Sequence, residues 1–416
     1  MAALMHGTRY GNRGRKAARG ETTTTGRIFA AMGARVLDRV DRGLVSGGID
    51  ATLPDGTRRR LGGRAPGPEP VVHVRSWRAL WRLATGGSAG WYEAWAAGDW
   101  SSPDPVPLFD LFMRNRASLG TTARAAAWSR GLRRLRHWLR RNGPAQARRN
   151  IAYHYDLGND FYAPWLDASM TYSSALFPRD AMTLEEGQAA KLAAMLDRTG
   201  TKPGDTILEI GCGWGSFAEV AVAGGRQLHG ITLSTEQRDY AATRVGHGAR
   251  FTLTDYRAVT GTYDAIVSIE MVEAVGREYW PDYLRVIAHA LKPGGRAAIQ
   301  LITIDDAIFE AYAGNVDFIQ QYVFPGGLLI CESEFRAIAE REGLVWRDAR
   351  AFGLDYAETL KMWRERFDAA YADGRLPREF GQDFVDLWRY YLMYCEGGFR
   401  GGGIDVLQVT LVKEGA

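Results

Sequence analysis

Residues Ile207 to Ser216, ILEIGCGWGS, carry an apolar run into one acidic residue, Glu209, and then into glycines at alternate positions, Gly211, Gly213 and Gly215. A strand that breaks into such a loop can bring main-chain groups against a nucleotide-type ligand, because glycine turns sharply and admits the ligand where a Cβ would collide. The spacing is neither the dinucleotide G-x-G-x-x-G nor a phosphate loop closing in Lys-Ser/Thr. A plain structural turn could carry the same glycines, so the surrounding elements decide.

Those elements alternate. Apolar runs at 228–234, 249–255, 263–270 and 296–304 are separated by helical patterns such as STEQRDYAATRV and REYWPDYLRVIAHAL. This is the rhythm of a doubly wound α/β fold with a parallel sheet. Ligands of such sheets lie beyond the carboxyl ends of the strands, so the residues to watch end each apolar run: Glu209 to Gly215, Thr232 to Gln237, Asp255 to Arg257, and Glu270 to Glu273.

The chain has 416 residues, 46% of them hydrophobic, which predicts two folded domains and a sizeable core. No stretch approaches the roughly 20 uninterrupted apolar residues of a spanning helix. The basic, Gly- and Thr-rich stretch 1–25 lacks the apolar core of a signal peptide and reads as a disordered tail. Three cysteines, Cys212, Cys331 and Cys395, show no metal-ligand spacing and suit a reducing cytoplasm.

Net charge is only +4, but between Asp110 and Asp156 there is no acidic residue, while arginines recur at 114, 116, 124, 130, 133, 134, 136, 140, 141, 148 and 149. Trp128, Leu132, Leu135, Trp138 and Leu139 are interleaved at helical spacing, the pattern of an interfacial helix on an anionic membrane surface. A solvated helix between domains and a nucleic-acid patch are the other readings of this belt. Ahead of it, Leu44 to Pro54, Arg58 to Leu61 and Pro70 to Val74 read as short strands with LPDGT as a turn, and Trp77 to Ala84 and Trp91 to Ala97 as helical. The organisation expected is therefore a small α+β domain over 26–119, an Arg-rich linker helix over 120–150 and the α/β domain over 151–416.

The segments HYDLGNDFYAPWLDASMTYSSALF, GITLSTEQ, EMVEAVG, FPGG, DYAETLKMWRERF and YYLMYCEGGFRGGGIDVLQV follow in order. With them the chain resembles the cyclopropane fatty acid synthase family. These are S-adenosylmethionine-dependent methyltransferases acting on the cis double bond of unsaturated acyl chains, commonly within membrane phospholipids. The resemblance runs from Asn150 to the C-terminus, and the LPDG and GSAGWYEAWAAGDW segments are similar to the N-terminal domain of phospholipid-acting members. It implies a Rossmann-like methyltransferase domain behind a small α+β lipid-contact domain, a protein at the inner face of a membrane, and no nucleic-acid partner. It leaves open whether the chain pairs as a homodimer.

The resemblance also assigns residues. Tyr172 and Ser173 would close over S-adenosylmethionine, Gly211, Gly213, Trp214 and Gly215 would hold its methionine part, Thr232, Leu233 and Gln237 would sit at the second strand end, and Tyr256 and Arg257 would flank the adenine. Glu209 would serve the cationic ligand, although an acid there could also simply order the loop. A bound bicarbonate, the family's proton acceptor, would be held by Ser174, Glu273, Gln300, the main chain near Ile302, and Tyr356. Here the sequence departs from the best-studied pattern, which has Cys at 174, His at 300 and His at 274, where this chain has Ser174, Gln300 and Ala274. Ser and Gln still offer hydrogen-bond donors to an anion. Failing that, Glu273 in an apolar slot could take the proton itself. Cys395 matches a cysteine often regarded as active-site, but the reaction needs no thiolate, and a small buried residue is the alternative. Trp363, Tyr390 and Tyr391 read as walls of a lipid slot or as core, and not as catalysts.

An isolated alkene is a poor nucleophile, so positioning and water exclusion carry the chemistry. Proton loss from the added methyl with ring closure gives a cyclopropane, the leading expectation. A hydride shift first gives an exocyclic methylene, the precursor of a mid-chain methyl branch, and the EAVG and AIQ-x-IT variants resemble those of a subgroup linked to such lipids. Methylation of a soluble isoprenoid-like alkene, or lipid binding without catalysis, are the other classes.

Overall fold

The computed structural model describes residues 24–120 and 157–415; the N-terminal tail and the Arg/Trp belt from 121 on lie outside the described residues. The first part opens with helix α1 (Thr24–Gly43) and strands β1 (Gly48–Thr52), β2 (Arg58–Gly62) and β3 (Val71–Val74). Helix α2 (Arg78–Ala96), strand β4 (Trp100–Ser101) and helix α3 (Val106–Arg114) follow. The four strands form one sheet in the order β2-β1-β3-β4. LPDGT closes the β1–β2 hairpin, with Asp55 Oδ1 accepting from the Thr57 N–H at 2.9 Å. The two helical stretches read from the sequence are one element kinked at Gly87, whose φ is +59°.

The second part opens with a single helical turn (Asn159–Tyr162) and a long loop, followed by helix α4 (Leu184–Thr199), started by a capping box in which Thr183 and Glu186 satisfy each other's backbone N–H. Then come β5 (Thr206–Ile210), α5 (Ser216–Ala223), β6 (Gln227–Thr232), α6 (Thr235–Val245), β7 (Ala249–Leu253), β8 (Tyr263–Ile269), α7 (Trp280–Ala290) and β9 (Leu291–Ile304). After them stand α8 (Asp306–Ala313), α9 (Phe318–Tyr322), α10 (Glu332–Arg341), β10 (Leu344–Ala351), α11 (Gly353–Ala372), α12 (Gln382–Arg400) and β11 (Ile404–Lys413). The seven-stranded sheet has the order β10-β11-β9-β8-β5-β6-β7. This is the doubly wound α/β fold expected, but the sheet is not wholly parallel: β11 runs antiparallel to both β9 and β10. The reason is connectivity. A single crossover helix returns the chain to the start of the sheet, whereas α11 and α12 form a pair, so the chain re-enters at the end it left.

One apolar cluster joins the two parts, running from Leu37, Trp91 and Phe109 through Tyr162 and Trp165 to Trp363 and Tyr390. Trp91 stacks on Trp100 with ring centroids 4.3 Å apart. Helix α3 lies directly on α12, where a Cβ on Gly397 would come within 2.4 Å of the Phe109 Cβ. Across the same boundary Arg116 and Asp305 form an ion pair at 2.5 Å. The small sheet and its helices thus pack over the carboxyl-end side of the large one through α11 and α12.

Candidate active site

Two cavities meet at the strand ends. The smaller, about 160 Å³, is the more polar of the two and is built on the loops after β5, β6, β7 and β8. The larger, about 420 Å³, is apolar and lies between α3, α8, α9, α11 and α12. Tyr172, Glu270 and Ala274 line both.

The polar cavity gathers Tyr172, Ser173, Glu209, Gly211, Gly213, Trp214, Thr232, Leu233, Gln237, Tyr256 and Arg257. Gly211 has φ +81°, and a Cβ there would lie 2.8 Å from Met271, so the loop can follow this path only with glycine. Gly215 is not in the wall. It caps the start of α5 at φ +85°, where a Cβ would press on Ala241 of α6, so its work is close helix packing. At the second strand end the Thr232 hydroxyl donates to Gln237 Oε1 at 3.0 Å. At the third, Asp255 holds Arg257 through its N–H, Nε and a terminal nitrogen at 2.7 to 3.0 Å, and the guanidinium stands 5.2 Å from the Tyr256 ring centre.

Glu209 is buried, and its Oε2 has no hydrogen-bond partner, so it does not order the loop through that oxygen. Burial pushes its carboxyl well above the usual range, although Lys191 opposes the shift. An orphaned, buried carboxylate oxygen facing a cavity suits a cationic ligand. Lys191 is the residue that sequence reasoning missed: fully buried on α4, it donates to Ser173 Oγ at 2.6 Å. Burial lowers its pKa to about 8, against the opposing pull of Glu270, Asp167 and Glu209. Gln188, one turn earlier, donates to the Ser173 carbonyl at 2.9 Å. The available signal was two polar residues, three apart, on the apolar stripe of an amphipathic helix.

The residues assigned to bicarbonate are brought together, but around a different group. Glu270 Oε1 accepts from the Ser174 N–H at 2.9 Å and from Gln300 Nε2 at 2.7 Å, and its Oε2 accepts from the Tyr356 hydroxyl at 2.7 Å. The Ser174 hydroxyl, expected to face an anion, instead donates to the Ala175 carbonyl at 2.9 Å. Ser174 and Gln300 are fully buried and line neither cavity. The Ile302 N–H donates to Glu273 Oε1 at 2.5 Å, leaving Glu273 Oε2 without a partner. Burial, reinforced by Glu270, pushes the Glu273 pKa up to about 8. The donor set therefore does not fit bicarbonate as the sequence had suggested: a side-chain carboxylate is already there.

Cys395 lines the apolar cavity, and burial pushes its thiol well up, so it is a neutral wall residue. Tyr390 and Tyr391 share that wall, the Tyr391 hydroxyl 3.0 Å from that of Tyr172, whereas Trp363 is fully buried behind it. Phe109, Phe112 and Met113 contribute from α3, and Gly120, where the described first part ends, lies at the same cavity.

Residues 143–409 match the family model described as mycolic acid cyclopropane synthetase. The chain is 39% identical over 358 residues to the tuberculostearic acid methyltransferase UfaA1 of Mycobacterium tuberculosis, covering 80% of this chain and 81% of that protein. It is 38% identical over 265 residues to the cyclopropane-fatty-acyl-phospholipid synthase of Escherichia coli, covering 62% of this chain and 66% of that one, just under two thirds. Among solved structures, the mycolic acid cyclopropane synthase CmaA1 complexed with SAH and CTAB superposes with a TM-score of 0.60 at 30% identity, over 64% of this chain and 98% of that chain.

Proposed function

The chain belongs to the mycolic acid cyclopropane synthetase family of S-adenosylmethionine-dependent methyltransferases, and from that premise we propose that it methylates the cis double bond of an unsaturated fatty acyl chain carried by a phospholipid. The product we assign is the mid-chain methylene, with the cyclopropane as the second reading. The observation that carries the acyl substrate is the junction of the smaller, more polar cavity with the larger apolar one at Tyr172, Glu270 and Ala274.

S-adenosylmethionine supplies an electrophilic methyl group when bound. The loop at Gly211 and Gly213, with Glu209, Thr232, Gln237, Tyr256 and Arg257, would hold it. The apolar cavity, within the size range of small-ligand pockets, would lay the acyl chain against the junction and keep water from the carbocation. Tyr390, Tyr391 and Cys395 offer it only neutral side chains. The Arg/Trp belt follows directly on Gly120 at the edge of this cavity, which supports an anionic lipid surface as the source of the chain. Among the described residues no helix is long and apolar enough to cross a membrane.

Both products lose a proton from the added methyl group. Immediate loss closes the ring. A 1,2-hydride shift first moves the cation to the methyl-bearing carbon, and the same loss then leaves an exocyclic double bond. Methylene formation is supported by the similarity to a tuberculostearic acid methyltransferase, which extends over more residues than the family model covers. Ring closure is supported by the similarity to a cyclopropane-fatty-acyl-phospholipid synthase.

The test is incubation with oleoyl phospholipid vesicles, or with a soluble oleoyl thioester, and methyl-labelled S-adenosylmethionine, followed by mass spectrometry of the acyl chains. Ozonolysis cleaves the methylene isomer and spares the ring. Label only in the soluble thioester would overturn the phospholipid assignment, and absence of label in any acyl chain would overturn the function.

A further inference from the structure

Glu270 stands immediately after β8 with φ +49°, in the left-handed region that costs a non-glycine residue on the order of 1 kcal/mol or more. A bulky side chain held there against its backbone preference, where the two cavities meet, calls for an explanation in function. Its backbone N–H donates to the Gln300 carbonyl at 2.8 Å, anchoring the strained residue to β9. Its two carboxylate oxygens take all three donors of the pocket: the Ser174 N–H, the Gln300 amide and the Tyr356 hydroxyl. The remaining donor, the Ile302 N–H, is taken by Glu273. No donor of that set is left for a free anion.

We propose that the carboxylate of Glu270 is the built-in proton acceptor of the reaction and takes the place of a bound bicarbonate, so that turnover is independent of dissolved carbonate. This rests on the acyl methyl-transfer reading above. In the step assigned to it, a C–H bond of the newly attached methyl group breaks and the proton passes to a Glu270 oxygen. The electron pair closes onto the cationic carbon, as the exocyclic double bond after a hydride shift or as the ring bond without one. The proton is then released to solvent when the product leaves.

Three further observations agree. Burial raises the Glu270 pKa, as suits a proton acceptor, and the buried Lys191 together with the three hydrogen bonds opposes that shift in favour of the ionised form. Burial, reinforced by Glu270, pushes the Glu273 pKa up to about 8, which favours its protonated form at neutral pH and leaves Glu270 the better placed acceptor. Three hydrogen bonds also moderate the basicity of Glu270 and fix its position. A restrained base gives the hydride shift time to precede proton loss.

The experiment compares the wild-type protein with Glu270→Gln and Glu270→Gly, in carbonate-depleted buffer and with millimolar bicarbonate added. Wild-type methylation should be the same in both. Glu270→Gln, near-isosteric, should lose about 100-fold or more in either buffer, the usual worth of a general base. Glu270→Gly relieves the backbone and opens the slot; it should lose about as much without carbonate and regain about tenfold or more with it. Wild-type activity that collapses on carbonate depletion, or Glu270→Gln that keeps near-normal turnover, would overturn the proposal. A second readout needs no turnover: line broadening of 13C-bicarbonate by the SAH-loaded protein should be absent for wild type and present for Glu270→Gly. Equal broadening by wild type would overturn the proposal even if the acyl substrate were wrong, so the two failures are distinguishable.

Discussion

Gln408 on β11 stands directly opposite Gln300 on β9 and donates its amide to Gln300 Oε1 at 3.0 Å. An amide has one accepting and one donating end, so using Oε1 in this way turns the Gln300 NH2 toward Glu270. Gln408 Oε1 in turn accepts from Arg198 Nε at 3.3 Å. A line of hydrogen bonds thus runs from a partly exposed arginine to the carboxylate at the cavity junction.

Replacing Gln408 with Leu should free the Gln300 amide to turn away and leave Glu270 one donor short. The expected loss in kcat is about tenfold, in line with the ~1.5–3 kcal/mol of a hydrogen bond to a charged group. The KM for S-adenosylmethionine should stay unchanged, since Gln408 touches neither cavity. Steady-state kinetics separates the two, and an altered KM with normal kcat would reject the positioning role.

Lys191→Met should shift the pH profile. Burial raises the Glu270 pKa, and the lysine charge holds part of that rise back. Removing that charge raises the pKa, and since the acceptor must be deprotonated, the acid limb of kcat should move to higher pH. Activity lost near neutrality should therefore return in alkaline buffer, which a simple packing defect would not allow.

Glu273 also makes stability depend on pH. Its pKa rises from the ordinary 4.5 to about 8 on folding, so between those values the folded state holds a proton that the unfolded state has lost. The stability this contributes is fully present below 4.5 and is lost as pH rises through about 8, at up to about 1.4 kcal/mol per pH unit for one proton. Glu273→Gln keeps an acceptor for the Ile302 N–H and removes the titration. Its melting temperature should therefore fall less than that of the wild type between pH 5 and pH 8, by calorimetry of the two proteins.

Cys395→Ala should keep most of its methyltransferase activity, because a neutral thiol in the cavity wall performs no step. The stability cost should be on the order of 1 kcal/mol for the lost contacts. A complete loss of turnover in a folded variant would restore the cysteine to the chemistry.

Gly397→Val tests the contact between the two parts of the molecule. The new side chain would collide with Phe109 and with the Val106 carbonyl of α3. A destabilisation of about 1–3 kcal/mol or more is expected, visible as a lower melting temperature. SAH binding by calorimetry should survive, since α3 contributes nothing to the polar cavity, while acyl methylation should fall because Phe109, Phe112 and Met113 form part of the apolar wall.

What the sequence alone determined is local in origin. The alternation of apolar runs and helices specified the α/β fold, and the run ILEIGCGWGS specified the cofactor loop, because glycines at Gly211 and Gly213 answer to the backbone path of a few neighbouring residues. Most of the residues read at the ends of β5, β6 and β7 duly line one cavity. Only the tertiary structure decided which carboxylate of EMVE meets the anion-type donors. Glu270 and Glu273 are three residues apart, and their sequence context treats them alike. The choice falls to Ser174, Gln300 and Tyr356, which arrive from a loop, a strand and a helix far apart in the chain. The reversal of β11, the cross-strand Gln408 and the burial of Lys191 are likewise products of distant packing. Desolvation and hydrogen-bond partners, which set the character of an acid or base, are properties of a surrounding that exists only once the chain has folded.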